Sequence, residues 1–339
     1  MRKLGLFCVG LLTFSCAPLP PIPFVSDADL AAPLVVDLRL ASPVELEVAF
    51  DEPVSVVSGP HGSASVGEVS VRGGGEPAPA VTFRFAEAPS PEHEHHVEAQ
   101  VADEAGNHLR FVARFYGLNP MLPAMLINEL TTQGSGNHPD LVEIRVLTDG
   151  NLAGACLYEG VPGNWEQRFV FPSVDVTAGD YLVVHFKPEG LPEEVNETAV
   201  RDASGGLDAT PDAWDFWVDG GTGLSGNNGT ISLCENPLGG YVDAVLYSNR
   251  TSDSDENYRG FGRRVVMERA DALAAADAWT FAGDAIAPED AVDPEPSTAT
   301  RSMARGSDAA DTNSRHDWHI TPTRGLTPGT ENTDEVYAP

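Results

Sequence analysis

The six residues Leu141-Val142-Glu143-Ile144-Arg145-Val146 alternate apolar and polar side chains. That period places Val142, Ile144 and Val146 on a core face and turns Glu143 and Arg145 to water, which only a half-buried strand allows. The same period recurs upstream at Val36/Leu38/Leu40, Val44/Leu46/Val48/Phe50, Val81/Phe83/Phe85 and Leu109/Phe111/Ala113/Phe115. Turn-forming clusters at 41–43, 59–62, 73–79 and 103–107 separate these runs. Short alternating strands at such spacing predict antiparallel sandwiches. The 33 glycines and 27 prolines supply many turns.

A chain of 339 residues has room for about two domains. Its net charge of −31 repels polyphosphate, which argues against nucleic acid as a partner. The start reads as a targeting segment over 1–15: Arg2 and Lys3, an apolar run over 4–14, then Ser15-Cys16. Thr13-Phe14-Ser15-Cys16 resembles a relaxed lipobox, with Phe14 where a small residue is usual. The expectation is a lipid on Cys16 and a bacterial cell-envelope location, the membrane being a partner through the anchor; the alternative is an ordinary signal peptide cut nearby. Residues 16–33 hold prolines at 18, 20, 21, 23 and 33 and read as an extended tether. With Cys8 removed and Cys16 acylated, Cys156 and Cys234 remain, and in an exported protein they can pair.

Within 34–117, Val48-Ala49-Phe50-Asp51-Glu52-Pro53-Val54 and Val101-Ala102-Asp103-Glu104-Ala105-Gly106-Asn107 are similar to phrases of bacterial Ig-like domains. From 124 to 332 a second series runs in order. It comprises Ile127-Asn128-Glu129, Val142-Glu143-Ile144, the 151–157 strand, Gly179-Asp180-Tyr181-Leu182-Val183, the 224–233 stretch, Val242-Asp243-Ala244-Val245, Arg305, Asp317-Trp318, and Thr327-Pro328-Gly329-Thr330-Glu331-Asn332. This order resembles the lamin-tail-type Ig-like domain, with Ala155 where that family carries Trp. The resemblance implies an all-β fold of two Ig-like β-sandwiches in tandem. The second has insertions at 187–223 and 249–300 and one short helix, for which Val266, Ala270 and Leu273 have the spacing. In the same pattern Cys156 and Cys234 fall on strands that can share one sheet, Asn228-Gly229 makes a tight turn, and Asp140 forms a turn. The stretch 285–298, rich in Pro, Asp and Glu, reads as a mobile loop.

Chemistry-bearing patterns are few. The sequence lacks G-x-S-x-G, H-E-x-x-H, a P-loop and C-x-x-C. His93 and His95 share a strand face but lack a third ligand. The acidic run 253–257 has Tyr258 where a calcium loop needs Gly. No metal and no cofactor is expected. Trp214, Phe216 and Trp217 form either a ligand patch or a clamp holding the 187–223 insertion, and clamping is favoured because exposed aromatics are unfavourable without a partner. The functional expectation is a lipid-anchored, non-enzymatic binding or structural module with a protein or glycan partner. The alternatives are a divalent-metal-dependent hydrolase and a calcium-dependent adhesin.

Overall fold

The computed structural model describes residues 29–62, 66–71 and 78–339. The targeting segment, Cys16 and the proline tether up to residue 28 lie outside the described residues.

The first unit comprises β1 (Val35–Ser42), β2 (Glu45–Gly62), β3 (Val66–Val71), β4 (Ala78–Phe85), β5 (Glu94–Ala102) and β6 (His108–Tyr116). β2 serves two sheets. Its first half pairs with β1 and β4, its register breaks between Ala49 and Val54, and from Ser55 onward it pairs with β5. A strand that switches partners this way makes the corner of a sandwich. Leu46, Val48, Phe83, Val97 and Phe115 fill the core between the halves. Val36 departs from the alternation reading: it is 60% exposed and sits where the β1–β2 register shifts between Val35 and Asp37, a local break in the ladder that upsets the alternation.

The second unit comprises β7 (Met125–Thr131), β8 (Leu141–Val146), β9 (Gly150–Asn151), β10 (Cys156–Val161), β11 (Asn164–Val170), β12 (Asp175–Val176), β13 (Tyr181–His185), β14 (Trp214–Trp217), β15 (Asn228–Asn236), β16 (Gly239–Ser248), α1 (Arg264–Ala275), β17 (Met303–Arg305) and β18 (Trp318–Ile320). A six-stranded sheet ordered β14-β13-β8-β7-β17-β18 faces a four-stranded sheet ordered β11-β10-β15-β16. Ile144 and Leu182 from the first sheet meet Leu157 and Leu233 from the second in one core. Val266, Ala270 and Leu273 of α1 bury into the same core. The fold is all-β with one α-helix among the described residues. The units touch: the Asn119 amide donates to the carbonyls of Asn151 (2.7 Å) and Ala153 (2.9 Å), and the Ser173 amide donates to Glu92 (2.8 Å).

Four sequence readings need correction. Glu143 does not face water; it is wholly buried, because residues of the C-terminal stretch cover that face of β8. Trp214–Trp217, placed in the 187–223 insertion, is a strand of the main sheet, parallel to β13. Asn228 and Gly229 lie inside β15; a Cβ at Gly229 would come 2.6 Å from the Tyr247 hydroxyl, so the glycine makes room for that ring. The 285–298 stretch is packed. Ile286 and Val292 are buried, and Val292 exchanges hydrogen bonds with the β16 edge through Leu246 and Ser248. Composition hid this because a few apolar residues, Ile286, Pro288, Ala291, Val292 and Pro294, are enough to seat an acidic segment on a sheet edge.

Candidate functional site

The outer face of the six-stranded sheet concentrates the polar residues of the sequence pattern. Glu129 on β7 and Glu143 on β8 are direct cross-strand partners, both wholly buried. Ionised carboxylates are strongly disfavoured there unless donors surround them. Glu129 accepts from the Ser302 hydroxyl, from the Thr327 amide at 2.9 Å and from the Thr327 hydroxyl at 3.2 Å. Glu143 accepts from the Asn128 side-chain amide at 2.6 Å and from the Gly329 amide at 2.6 Å. Asn332 completes the seam by donating to the carbonyls of Asn128 and Arg305, each at 3.0 Å. Burial pushes Glu129 up to about 7, against the pull of its donors. Burial, and then the charge of Glu129, raises Glu143 well above the usual carboxylate range. Two directly opposed glutamates with raised affinity for protons have the chemistry of an acid/base pair, yet both are sealed beneath Thr327, Gly329 and Asn332.

A second buried group adjoins this seam. Arg305 on β17 is fully buried and grips Asp243 with two bonds of 3.1 and 3.0 Å. It also reaches Asp311 (3.3 Å) and Asp317 (3.4 Å), donates to the Ile127 carbonyl (2.8 Å), and lies 4.8 Å from the centre of the Trp318 ring. Burial raises Asp243 and the guanidinium pulls it back. The bidentate fork supplies the compensation that a buried charge requires.

The third cluster closes the free edge of β14. His185 meets Asp215 at 2.7 Å, and its ring stacks on Trp217 with centroids 3.9 Å apart. Glu197 accepts from the Asp215 amide (2.9 Å), and Asn196 accepts from the Trp217 amide (2.7 Å). These side chains occupy the ladder positions that another strand would take. Phe216 points into the main core, Trp217 is buried on His185, and Trp214 is half-buried with Arg201 over its ring. The three aromatics therefore hold the 187–223 insertion rather than form a common exposed patch.

The remaining sequence candidates sort by contact. Asp140 accepts from the amides of Gly134 (2.7 Å) and Leu224 (2.8 Å), fixing two loops. His95 bonds the Ser90 carbonyl (3.0 Å) beside Phe115. Asp255 caps its own loop through the amides of Tyr258 and Gly262, each at 2.7 Å. Cys156 and Cys234 face each other across β10 and β15, and both carry free thiols here. Sequence reasoning missed two features. Asp29, Glu52 and Asp103 bring carboxylate oxygens within 4.8 Å of one another and could hold a hard cation. The acidic residues of the Phe50–Val54 and Val101–Asn107 phrases were its signal. The other is a cleft of about 660 Å³ between the units, lined by Glu92, Leu118, Met121, Asp149 and Asp175.

The fold and this seam define a two-unit all-β chain whose second sandwich is latched by its own C-terminal stretch. The chain belongs to the TP_1001_2nd family, described as a protein second domain, which matches residues 123–320. It is similar to a protein of Treponema pallidum (strain Nichols), named only as an uncharacterized protein, with 29% identity over 140 residues. The match covers 41% of this chain and 35% of that relative, so it spans about a third of the relative's length. No solved structure matches.

Proposed function

We propose that the chain is a lipid-anchored, extracytoplasmic envelope protein whose tandem Ig-like units, the second of lamin-tail type, serve as a binding or structural module without catalysis. One observation carries the non-catalytic part of this reading. The polar residues of the sequence pattern (Asn128, Glu129, Glu143, Asp243, Arg305, Thr327, Gly329 and Asn332) bond to one another inside the fold. Their chemistry is absorbed in joining strands, which supports a structural use of these buried groups. The anchor rests on Arg2, Lys3, the apolar run and Cys16, and the surface that meets a partner is the acidic exterior of a chain carrying −31.

The test has two arms. Intact mass of the mature protein is expected to show an acylated N-terminus at Cys16, and Cys16→Ala is expected to leave the chain soluble or unprocessed. One acyl chain holds a protein only marginally at a bilayer, so a stable membrane fraction implies more than one. An unmodified N-terminus elsewhere overturns the anchor. Mild crosslinking in intact cells is expected to capture a stoichiometric envelope partner. Turnover of a phosphoester or glycoside by purified protein, abolished by chelator, would replace the module reading with the hydrolase.

A further inference from the structure

We infer that Cys156 and Cys234 form a disulfide that closes while the second unit folds and is then shielded by the face it staples. The two residues are direct Cα partners in the antiparallel β10–β15 ladder, and the register continues unbroken through Leu157↔Leu233 and Tyr158↔Ser232. Directly opposed antiparallel residues hold their Cα atoms roughly 4.5–5.5 Å apart, inside the roughly 4.4–6.8 Å window that a disulfide spans. Side chains of opposed residues share a face, so neither thiol must cross the sheet to reach the other. Leu157 and Leu233 turn to the main core, while Cys156 and Cys234 sit on the opposite face in their own cluster with Tyr158, Val170 and Tyr241. Tyr158 fixes that cover by donating its hydroxyl to the Pro237 carbonyl at 2.8 Å.

The same cover sets the order of events. Both cysteines are wholly buried, and burial pushes each thiol up to about 12. The thiolate is the attacking species, so a folded, reduced chain exchanges very slowly. Oxidation therefore belongs to the stage before Tyr158 and Tyr241 close over the pair. One protein thiolate attacks a sulfur of a small-molecule disulfide such as oxidised glutathione and expels one thiol. The second protein thiolate then attacks the mixed disulfide and expels the other. Two protein S–H bonds are lost and one S–S bond forms. Two electrons and two protons end on the two released thiols.

The experiment refolds reduced full-length chain from denaturant with oxidised and reduced glutathione, then denatures it, alkylates it and maps the peptides. The expected result is one crosslinked species joining the Cys156 and Cys234 peptides, with neither residue alkylated. Native reduced protein in the same buffer is expected to form it at least ~100-fold more slowly. Cys156→Ser is expected to leave Cys234 alkylated. Refolded protein of native circular dichroism with both residues alkylated overturns the inference, as does a bond from either residue to Cys8, Cys16 or another molecule. Should refolding fail, chain produced in a bacterial periplasm and trapped with alkylator at lysis gives the same two readings.

Discussion

At the scale of single residues, the Glu129–Glu143 pair couples stability to pH. The unfolded chain releases both protons near 4.5, whereas the folded chain holds Glu129's to about 7 and Glu143's well above the usual carboxylate range. A group raised by folding stabilises the fold fully below its unfolded value and loses that contribution as pH climbs through its folded value. Glu129 alone then accounts for on the order of 3 kcal/mol lost between pH 4.5 and somewhat above 7. Glu143→Gln removes the like charge and disturbs one hydrogen bond, an offset of about 1 kcal/mol that does not vary with pH. Urea unfolding of both proteins from pH 5 to 8 is expected to show a falling curve for the wild type and a flatter one for the variant. Equal slopes would mean that the titration lies elsewhere.

At the scale of elements, β14 depends on two side chains. Glu197 accepts from Ala203 (2.8 Å), Ser204 (2.9 Å) and Asp215 (2.9 Å), and Asn196 holds Trp217 (2.7 Å). Glu197→Ala leaves three amides without that acceptor. The Asp215 amide is expected to exchange with solvent about 10- to 100-fold faster, corresponding to about 1–3 kcal/mol of local stability, while the β10–β15 ladder stays protected. Unchanged exchange at Asp215 would refute the edge-sealing role. Much at this scale was legible in the sequence. Alternation located β4, β6 and β8, and the spacing of Val266, Ala270 and Leu273 located α1. Alternation assigns residues to sides but says nothing of what covers a side, which is why Glu143 read as solvated. β14 was not legible because its four residues are too short a run for periodicity, and its parallel pairing with β13 is set by the 187–213 excursion between them. The seam was visible only as motif blocks; its bonds join Asn128 to Asn332 across 204 positions, a pairing that no local pattern encodes.

At the scale of the whole molecule, the two units differ in how far apart in the chain their stabilising contacts lie. The first closes its core with residues between Leu46 and Phe115, whereas the second draws Thr327, Gly329 and Asn332 back onto its first two strands. A chain ending before Thr327 loses the Thr327 donors to Glu129 and the Gly329 donor to Glu143, leaving Glu129 with Ser302 alone and Glu143 with Asn128 alone. It is expected to lose the near-ultraviolet circular dichroism of the second unit, and limited proteolysis is expected to leave a resistant fragment near 34–117. A truncated chain with native protection throughout would show that the latch is dispensable.

The return of Asn332 to Asn128 also bears on the order in which the protein is made. Synthesis proceeds from one end, and β7 and β8 leave the ribosome about two hundred residues before the segment that covers their outer face. For that interval Glu129 and Glu143 stay hydrated and the sheet they belong to stays unfinished, while the first unit already has every strand it needs. The second unit thus keeps a built-in delay. Its outer face is completed only when its last strands and the Thr327–Asn332 turn arrive.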